Sequence, residues 1–286
     1  MTLSTALAGP FGQSAVFPFV AALLAALLMR LAGGPGRGAV LAGIGIPVGW
    51  LVGAWLIYGL PPVMPVSAVQ KLVHLMLAAA VLGFLLDSKP AGAGTRLLVG
   101  LAWLATGFVW IGWGLLGRDP VGSGIMLLAL WGAGAVMLWR ASATAQDGAA
   151  TAAKLLAAAF GLAVVCLLNG SAAYGQLAGA LAAATAGYFV LVWLAFRSPM
   201  AAGGLIGGVG LLGLLGGMAV LFGNGNPVAL ALLVLCFFVD PLAARLRFGS
   251  GGVAGLLAPV VVGLAALLPV AAAIAVAYLT GGGLPY

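Results

Sequence analysis

Few side chains in this chain could do chemistry, and Asp240 is the most suggestive of them. It is followed directly by Pro241 and preceded by the apolar run 228–239. A proline removes a backbone donor and kinks a helix, which frees carbonyl groups beside the carboxylate. Asp240 and Pro241 therefore predict a cation or proton site in a broken helix. The alternative is that Pro241 opens an interfacial stretch that Asp240 caps, next to Arg245 and Arg247.

A second candidate pair is Lys71 with His74, the only histidine of the chain. The two residues are three apart, so they would share one face of a helix. A proton-linked or anion-binding role would use this pair, because histidine is the side chain that most readily changes charge near neutrality. The alternative is interfacial anchoring, with Lys71 extending its ammonium group toward the lipid headgroups.

A stripe of Trp103, Thr106, Trp110 and Trp113 has spacings of three, four and three, which places all four on one helical face. Trp103 and Thr106 could line a pocket there and hold a cation against the indole face. The alternative is a role in packing or in the aromatic belt at the membrane interface, where tryptophan is common.

Groups for catalysis or for cofactor binding are scarce. The chain has one His, no Glu, and two isolated cysteines, Cys166 and Cys236, both within apolar runs. It shows no Walker loop, no zinc-binding pattern and no Ser/His/Asp arrangement. We therefore expect no enzyme, no cofactor and no metal site.

The composition indicates a chain surrounded by lipid. Charged residues make up 5% of it and hydrophobic residues 64%, whereas a soluble domain carries about 25% charged residues. The net charge of +7 comes from single, scattered cations without aromatic interleaving. This pattern does not suggest nucleic-acid binding, so the expected partner is the lipid bilayer.

Ten apolar segments are long enough, or nearly so, to span a bilayer, which takes about 20 residues. They predict an all-α, polytopic membrane helix bundle of about ten transmembrane helices and no soluble domain. The predicted spans are 15–32, 38–60, 68–87, 96–116, 120–140, 150–170, 174–196, 201–222, 227–247 and 252–279.

The cations predict how the chain is threaded. Nine of the eleven Lys and Arg residues lie in alternate connections, and only Lys71 and Arg118 lie on the other side. This bias is typical of a multi-pass protein of a bacterial-type inner membrane, with the cations in the cytoplasm. It predicts that both termini, including Gly281–Tyr286, face outward, and the uncharged stretch Met1–Ser14 predicts no cleaved signal peptide. The nine cations are Arg30, Arg37, Lys89, Arg96, Arg140, Lys154, Arg197, Arg245 and Arg247.

An internal similarity suggests two halves. Residues 49–61 and 187–199 both read Gly, aromatic, x, Val, x, x, Trp, Leu, x, aromatic, x, x, Pro, at an offset of 138 positions. Five helices in each half, 1–147 and 148–286, would invert the second half relative to the first. Inverted repeats of this kind are common in secondary transporters. The alternative is a chance match, since Gly, Val, Leu and Trp are abundant.

Small residues at spacings of four predict close helix packing, because they let two backbones approach within a membrane. The eighth predicted span is the densest in glycine, and the second span repeats the pattern. The pairs are Gly203 with Gly207, Gly213 with Gly217, and Gly49 with Gly53.

Two functions follow from these patterns. The first is a small secondary transporter or permease for a small molecule, which should show a polar cavity lined by the fourth and ninth spans, with Asp240 or Trp103 facing inward. The alternative is a non-catalytic structural or accessory subunit of a larger membrane complex of the respiratory or photosynthetic type. Such a subunit should be a sealed bundle with an apolar flank for other membrane subunits.

Overall fold

The protein is a bundle of apolar helices. The computed structural model describes residues 9–89, 91–246 and 252–280, with the side chains of 252–254 excepted. All regular elements within these residues are helical. The predicted all-α, polytopic membrane bundle is therefore confirmed.

Eleven helices account for the ten predicted spans. Among the described residues, α1–α8 and α11 are long and apolar enough to cross a membrane, whereas α9 is shorter and continues into α10. The ninth predicted span thus corresponds to two short helices in series. The helices are α1 (Gly12–Ala32), α2 (Gly34–Tyr58), α3 (Ala68–Ser88), α4 (Ala93–Leu116), α5 (Pro120–Thr144), α6 (Gly148–Leu168), α7 (Ala172–Leu194), α8 (Ala202–Phe222), α9 (Pro227–Phe238), α10 (Asp240–Arg245) and α11 (Gly252–Thr280).

Polar side chains mark where several of these helices begin. Ser67 and Gln70 form a capping box at the start of α3. The carboxylates of Asp119 and Asp147 accept hydrogen bonds from Gly122 N and Ala150 N at the starts of α5 and α6. Such caps satisfy amide groups that the helix itself leaves unpaired.

Contacts near the connections show which helix ends lie on the same side of the bundle. The start of α2 contacts the end of α3 through Arg37, which donates to Ser88 O at 2.7 Å. The α5–α6 and α7–α8 connections meet where Met200 N donates to Ala145 O at 2.8 Å. We name this side of the bundle the cationic end. At the opposite end, Asn226 before α9 donates to Thr280 at the end of α11.

Helix α8 lies at the centre of the bundle, with 78% of its membrane span buried, compared with 17% for α1. Its glycines allow close approach to α2 and α3. A Cβ atom at Gly207 would lie 2.8 Å from the Pro47 ring, and one at Gly83 would lie 2.5 Å from Gly203 Cα. A Cβ atom at Gly213 would lie 3.3 Å from Cα of Gly134 on α5. These contacts agree with the close packing expected from the glycine spacing.

The two similar segments lie on α2 and α7, which pack against each other. The aromatic residues at the matched position, Trp50 and Tyr188, are both fully buried. Trp50 Nε1 donates to Leu177 O, and a Cβ atom at Gly53 would meet Ala180. The inverted repeat and the division into halves stay predictions.

Two predicted features fall on residues outside the described part of the chain. These are the position of Arg247 and the outward-facing segment Gly281–Tyr286. The side of the membrane that the cationic end faces also stays a prediction.

Candidate functional site

A change in helix geometry positions Asp240. The last turn of α9, Leu235–Phe238, tightens into a 3₁₀ helix, and α10 begins at Asp240. Pro241 lies in the first turn of α10, where its missing N–H is not needed. The helix is therefore interrupted at Val239, directly before Asp240, and the cation or proton site at Asp240 and Pro241 stays a prediction.

The partner of Asp240 is Lys154, whose side chain is fully buried. Lys154 Nζ lies 2.8 Å from Asp240 Oδ1 and 3.0 Å from Oδ2, and it donates to Thr144 Oγ1 at 3.1 Å. All three donors of the ammonium group therefore have an acceptor. Thr151 supports this arrangement, because its hydroxyl donates to Thr144 O at 2.9 Å.

Arg140 adds a second cation beside the Asp240 carboxylate. Its Nη2 lies 3.4 Å from Asp240 Oδ2, and its guanidinium lies over the Phe238 ring at 4.9 Å. We call Arg140, Thr144, Thr151, Lys154 and Asp240 the charged cluster. It joins α5, α6 and α10 at the cationic end and carries two positive charges and one negative charge.

The prediction that Lys154 lies in a connection is incorrect. Lys154 lies in the second turn of α6, within the predicted span 150–170 and between alanine and leucine residues. That position was the available signal, because a charge inside an apolar span needs a partner. The identity of the partner, 86 positions away, follows only from the fold.

A cavity of about 280 Å³ lies between α5, α8 and α9. Its wall includes Ala133 and Met137 of α5, Gly216 of α8, and Pro227 and Val234 of α9. Met137 precedes Arg140 by one helical turn, so the cavity ends close to the charged cluster. The lining is mainly apolar and comes from α5, α8 and α9, whereas the sequence predicted a polar cavity between the fourth and ninth spans.

Trp103 and Thr106 lie apart from Asp240. Trp103 is buried, and its Nε1 donates to Leu75 O of α3 at 3.1 Å. Thr106 is exposed on the outside of α4 and donates to Ala102 O. The Trp103 contact joins α4 to α3 and gives the indole a packing role, whereas the Thr106 hydrogen bond stays within α4.

Lys71 and His74 lie together at the opposite end of the bundle. Lys71 Nζ donates to Trp110 O at 2.9 Å. The His74 and Trp110 rings pack edge-on, with their centroids 6.3 Å apart. His74 Nδ1 lies 3.0 Å from Gln70 O. The structure thus brings the predicted pair into contact with one residue of the predicted tryptophan stripe.

A further buried carboxylate, Asp87, went unnoticed as a site because it ends a predicted span. Its side chain is fully buried and accepts hydrogen bonds from Ala202 N at 3.0 Å and Gly203 N at 2.9 Å. Arg96 Nε lies 3.5 Å from its Oδ1. Asp87 of α3 therefore connects the start of the central helix α8 with α3 and α4.

Among the described residues, no group of three or more His, Cys, Asp or Glu side chains could hold a metal ion. Comparison with known proteins finds no family model that matches the chain and no curated protein that is similar to it.

Proposed function

We propose that the protein is a small secondary transporter of a bacterial-type inner membrane, with its cationic end in the cytoplasm. The observation that supports it best is the pair formed by buried Lys154 and Asp240 at a helix break. Ionisable residues within membrane helices are costly and commonly mark ion or substrate pathways. Broken helices likewise occur at the binding sites of secondary transporters.

In this proposal the cavity between α5, α8 and α9 holds the substrate, and the charged cluster closes its cytoplasmic side. Because the cavity lining is mainly apolar, the substrate is a small molecule with a largely apolar surface. Opening would separate α10 from α5 and α6 and hydrate the charges of Lys154 and Asp240. We propose no catalytic role, since the chemistry of the cluster is ion pairing.

The test measures whether a thiol-reactive reagent can reach the cavity from each side of the membrane. In a background with Cys166→Ala and Cys236→Ala, Ala133→Cys places a thiol in the cavity wall, and a membrane-impermeant maleimide is added from either side of sealed vesicles. Asp240→Asn leaves the buried Lys154 ammonium without its counterion, which disfavours the closed state. We expect labelling from the cytoplasmic side to accelerate by about tenfold, equivalent to a shift of about 1.4 kcal/mol.

Three controls accompany this measurement. Asp119→Asn removes a carboxylate that caps α5 at the opposite end of the bundle, and labelling should not change. Gly92→Cys and Gly117→Cys lie in exposed connections at the two ends and report the sidedness of the vesicles. Lys154→Met with Asp240→Leu removes the buried ion pair and leaves Arg140 as the remaining charge of the cluster, which keeps the measurement informative if the single variant fails to fold.

If the protein is instead an accessory subunit, we expect a different labelling result. In a permanently sealed bundle, Ala133→Cys would label from the cytoplasmic side at the same slow rate in every variant. That outcome would reject the transporter and leave the alternative of a structural subunit in a larger membrane complex.

A further inference from the structure

A second cavity, distinct from the one between α5, α8 and α9, opens at the cationic end. It has a volume of about 530 Å³ and lies between the start of α6, the end of α7 and the start of α11. Arg197 and Ser198 contribute its polar wall, and Trp193 contributes an aromatic wall. The Ser198 hydroxyl is buried without a hydrogen-bond partner among the described residues. The cavity therefore offers a cation and an unused hydroxyl donor.

An apolar groove of about 400 Å³ lies on the same three helices. Its floor is made of small residues, Ala153 and Ala157 of α6 and Gly263 of α11. Larger side chains, including Phe160 and Leu264, stand at its rims and are more than half exposed. The groove thus runs along the lipid-facing surface of the bundle.

The cavity and the groove are continuous. Pro259 of α11 lines both of them. On α7, Phe189 in the groove stacks on Trp193 in the cavity, with ring centroids 5.4 Å apart. Trp193 Nε1 donates to Leu256 O at 2.7 Å, which fixes the indole between α7 and α11.

The dimensions match one leaflet of a bilayer. From Asp147 in the cavity to Phe160 in the groove, α6 advances 13 residues, which is about 20 Å at 1.5 Å per residue. Half of the hydrocarbon core measures about 15 Å, and the remaining length reaches the headgroup region. A polar cavity at the interface followed by an apolar groove of this depth has the shape of a lipid molecule.

We propose that this surface binds a phospholipid with an anionic headgroup from the leaflet at the cationic end. Arg197 and Ser198 contact the phosphate group, and one acyl chain lies in the groove over Ala157 and Gly263. The Asp147 carboxylate also lines the cavity and accepts a hydrogen bond from Ala150 N, and it keeps its negative charge, so the Arg197 guanidinium must bind the phosphate against this repulsion. The site is independent of the transport function and of the charged cluster.

The test is native mass spectrometry of the whole protein, stripped of lipid and then titrated with phosphatidylglycerol or phosphatidylcholine. We expect phosphatidylglycerol to bind more tightly, and Arg197→Gln to weaken it about fivefold, as expected for one cation near an anionic headgroup. Gly263→Leu should weaken both lipids by filling the groove, since a Cβ atom there meets only Ala153 at 3.6 Å.

Matched controls separate this site from general lipid contact. Arg118→Gln removes a cation at the opposite end, and Gly132→Leu adds a side chain on α5 where a Cβ atom meets nothing within 4 Å. Both should bind lipid like the unaltered protein. Equal affinity of Arg197→Gln for phosphatidylglycerol, equal loss in the controls, or a second copy of the chain covering the groove instead of lipid would overturn the proposal.

Discussion

The four aspartates of this chain have two structural roles, as helix caps and as ion-pair partners between helices. Asp119 and Asp147 cap helices near the surface and serve local structure. Asp87 and Asp240 pair with cations and join separate helices. Asp87 satisfies the first amides of α8 and lies beside Arg96, so it stabilises the bundle. Asp240 holds a buried ammonium at a helix break, which is where we place the transport gate.

Replacing Asp87 with alanine should destabilise the protein by about 3 kcal/mol or more, because two buried amides and Arg96 lose their acceptor. Asp119→Ala removes a cap at an exposed helix start and should cost only about 1 kcal/mol. Reversible unfolding in detergent micelles measures both. Equal effects of the two substitutions would show that Asp87 does not anchor α8.

At this scale the sequence predicts some residues and not others. Asp240 and Pro241 were identified because a carboxylate beside a proline in an apolar run is a local pattern. Lys154 and Asp87 gained their importance from partners 86 and 115 positions away, which local patterns do not contain. The spacing of Trp103 predicts a pocket-lining indole, but spacing alone does not show whether the indole faces a cavity or packs against another helix. The fold places it against α3.

At the scale of elements, the irregular parts of the helices lie where function is proposed or where packing is closest. Helix α9 tightens before the charged cluster. Helix α8 contains a π-helical segment, Leu205–Gly210, beside the glycine contacts to α2. Apolar length predicted nearly all spans, whereas the shortness of α9 was missed because apolar residues continue across the break.

Gly83 provides a test of close packing between α3 and α8. Gly83→Ala places a Cβ atom 2.5 Å from Gly203 Cα, so the two backbones must separate, which typically costs about 1–3 kcal/mol. Gly114→Ala in α4 meets nothing within 4 Å and should be neutral or slightly stabilising. Thermal unfolding of both variants in detergent gives the comparison. A neutral Gly83→Ala would mean that α3 and α8 are not in close contact.

At the scale of the whole molecule, the alternate cationic connections predict that most cations lie on one side of the membrane. Contacts near these connections bring them together at the cationic end. Arg30 lies over the Phe196 ring at 4.9 Å, joining the first of these connections to the fourth. The sequence did not predict that the cations at this end would form separate clusters around Asp87 and Asp240. That division depends on how the helices pack side by side.

The most direct test of the transporter is whether α5 and α10 have two arrangements at the cationic end. Nitroxide labels at the exposed positions Ala143 and Leu246, in a cysteine-free background, report this distance by pulsed electron paramagnetic resonance. We predict a short distance in the unaltered cluster and a second, longer population in Asp240→Asn, because a ligand or substitution shifts states that already exist. A single narrow distance that is unchanged by Asp240→Asn would contradict the account.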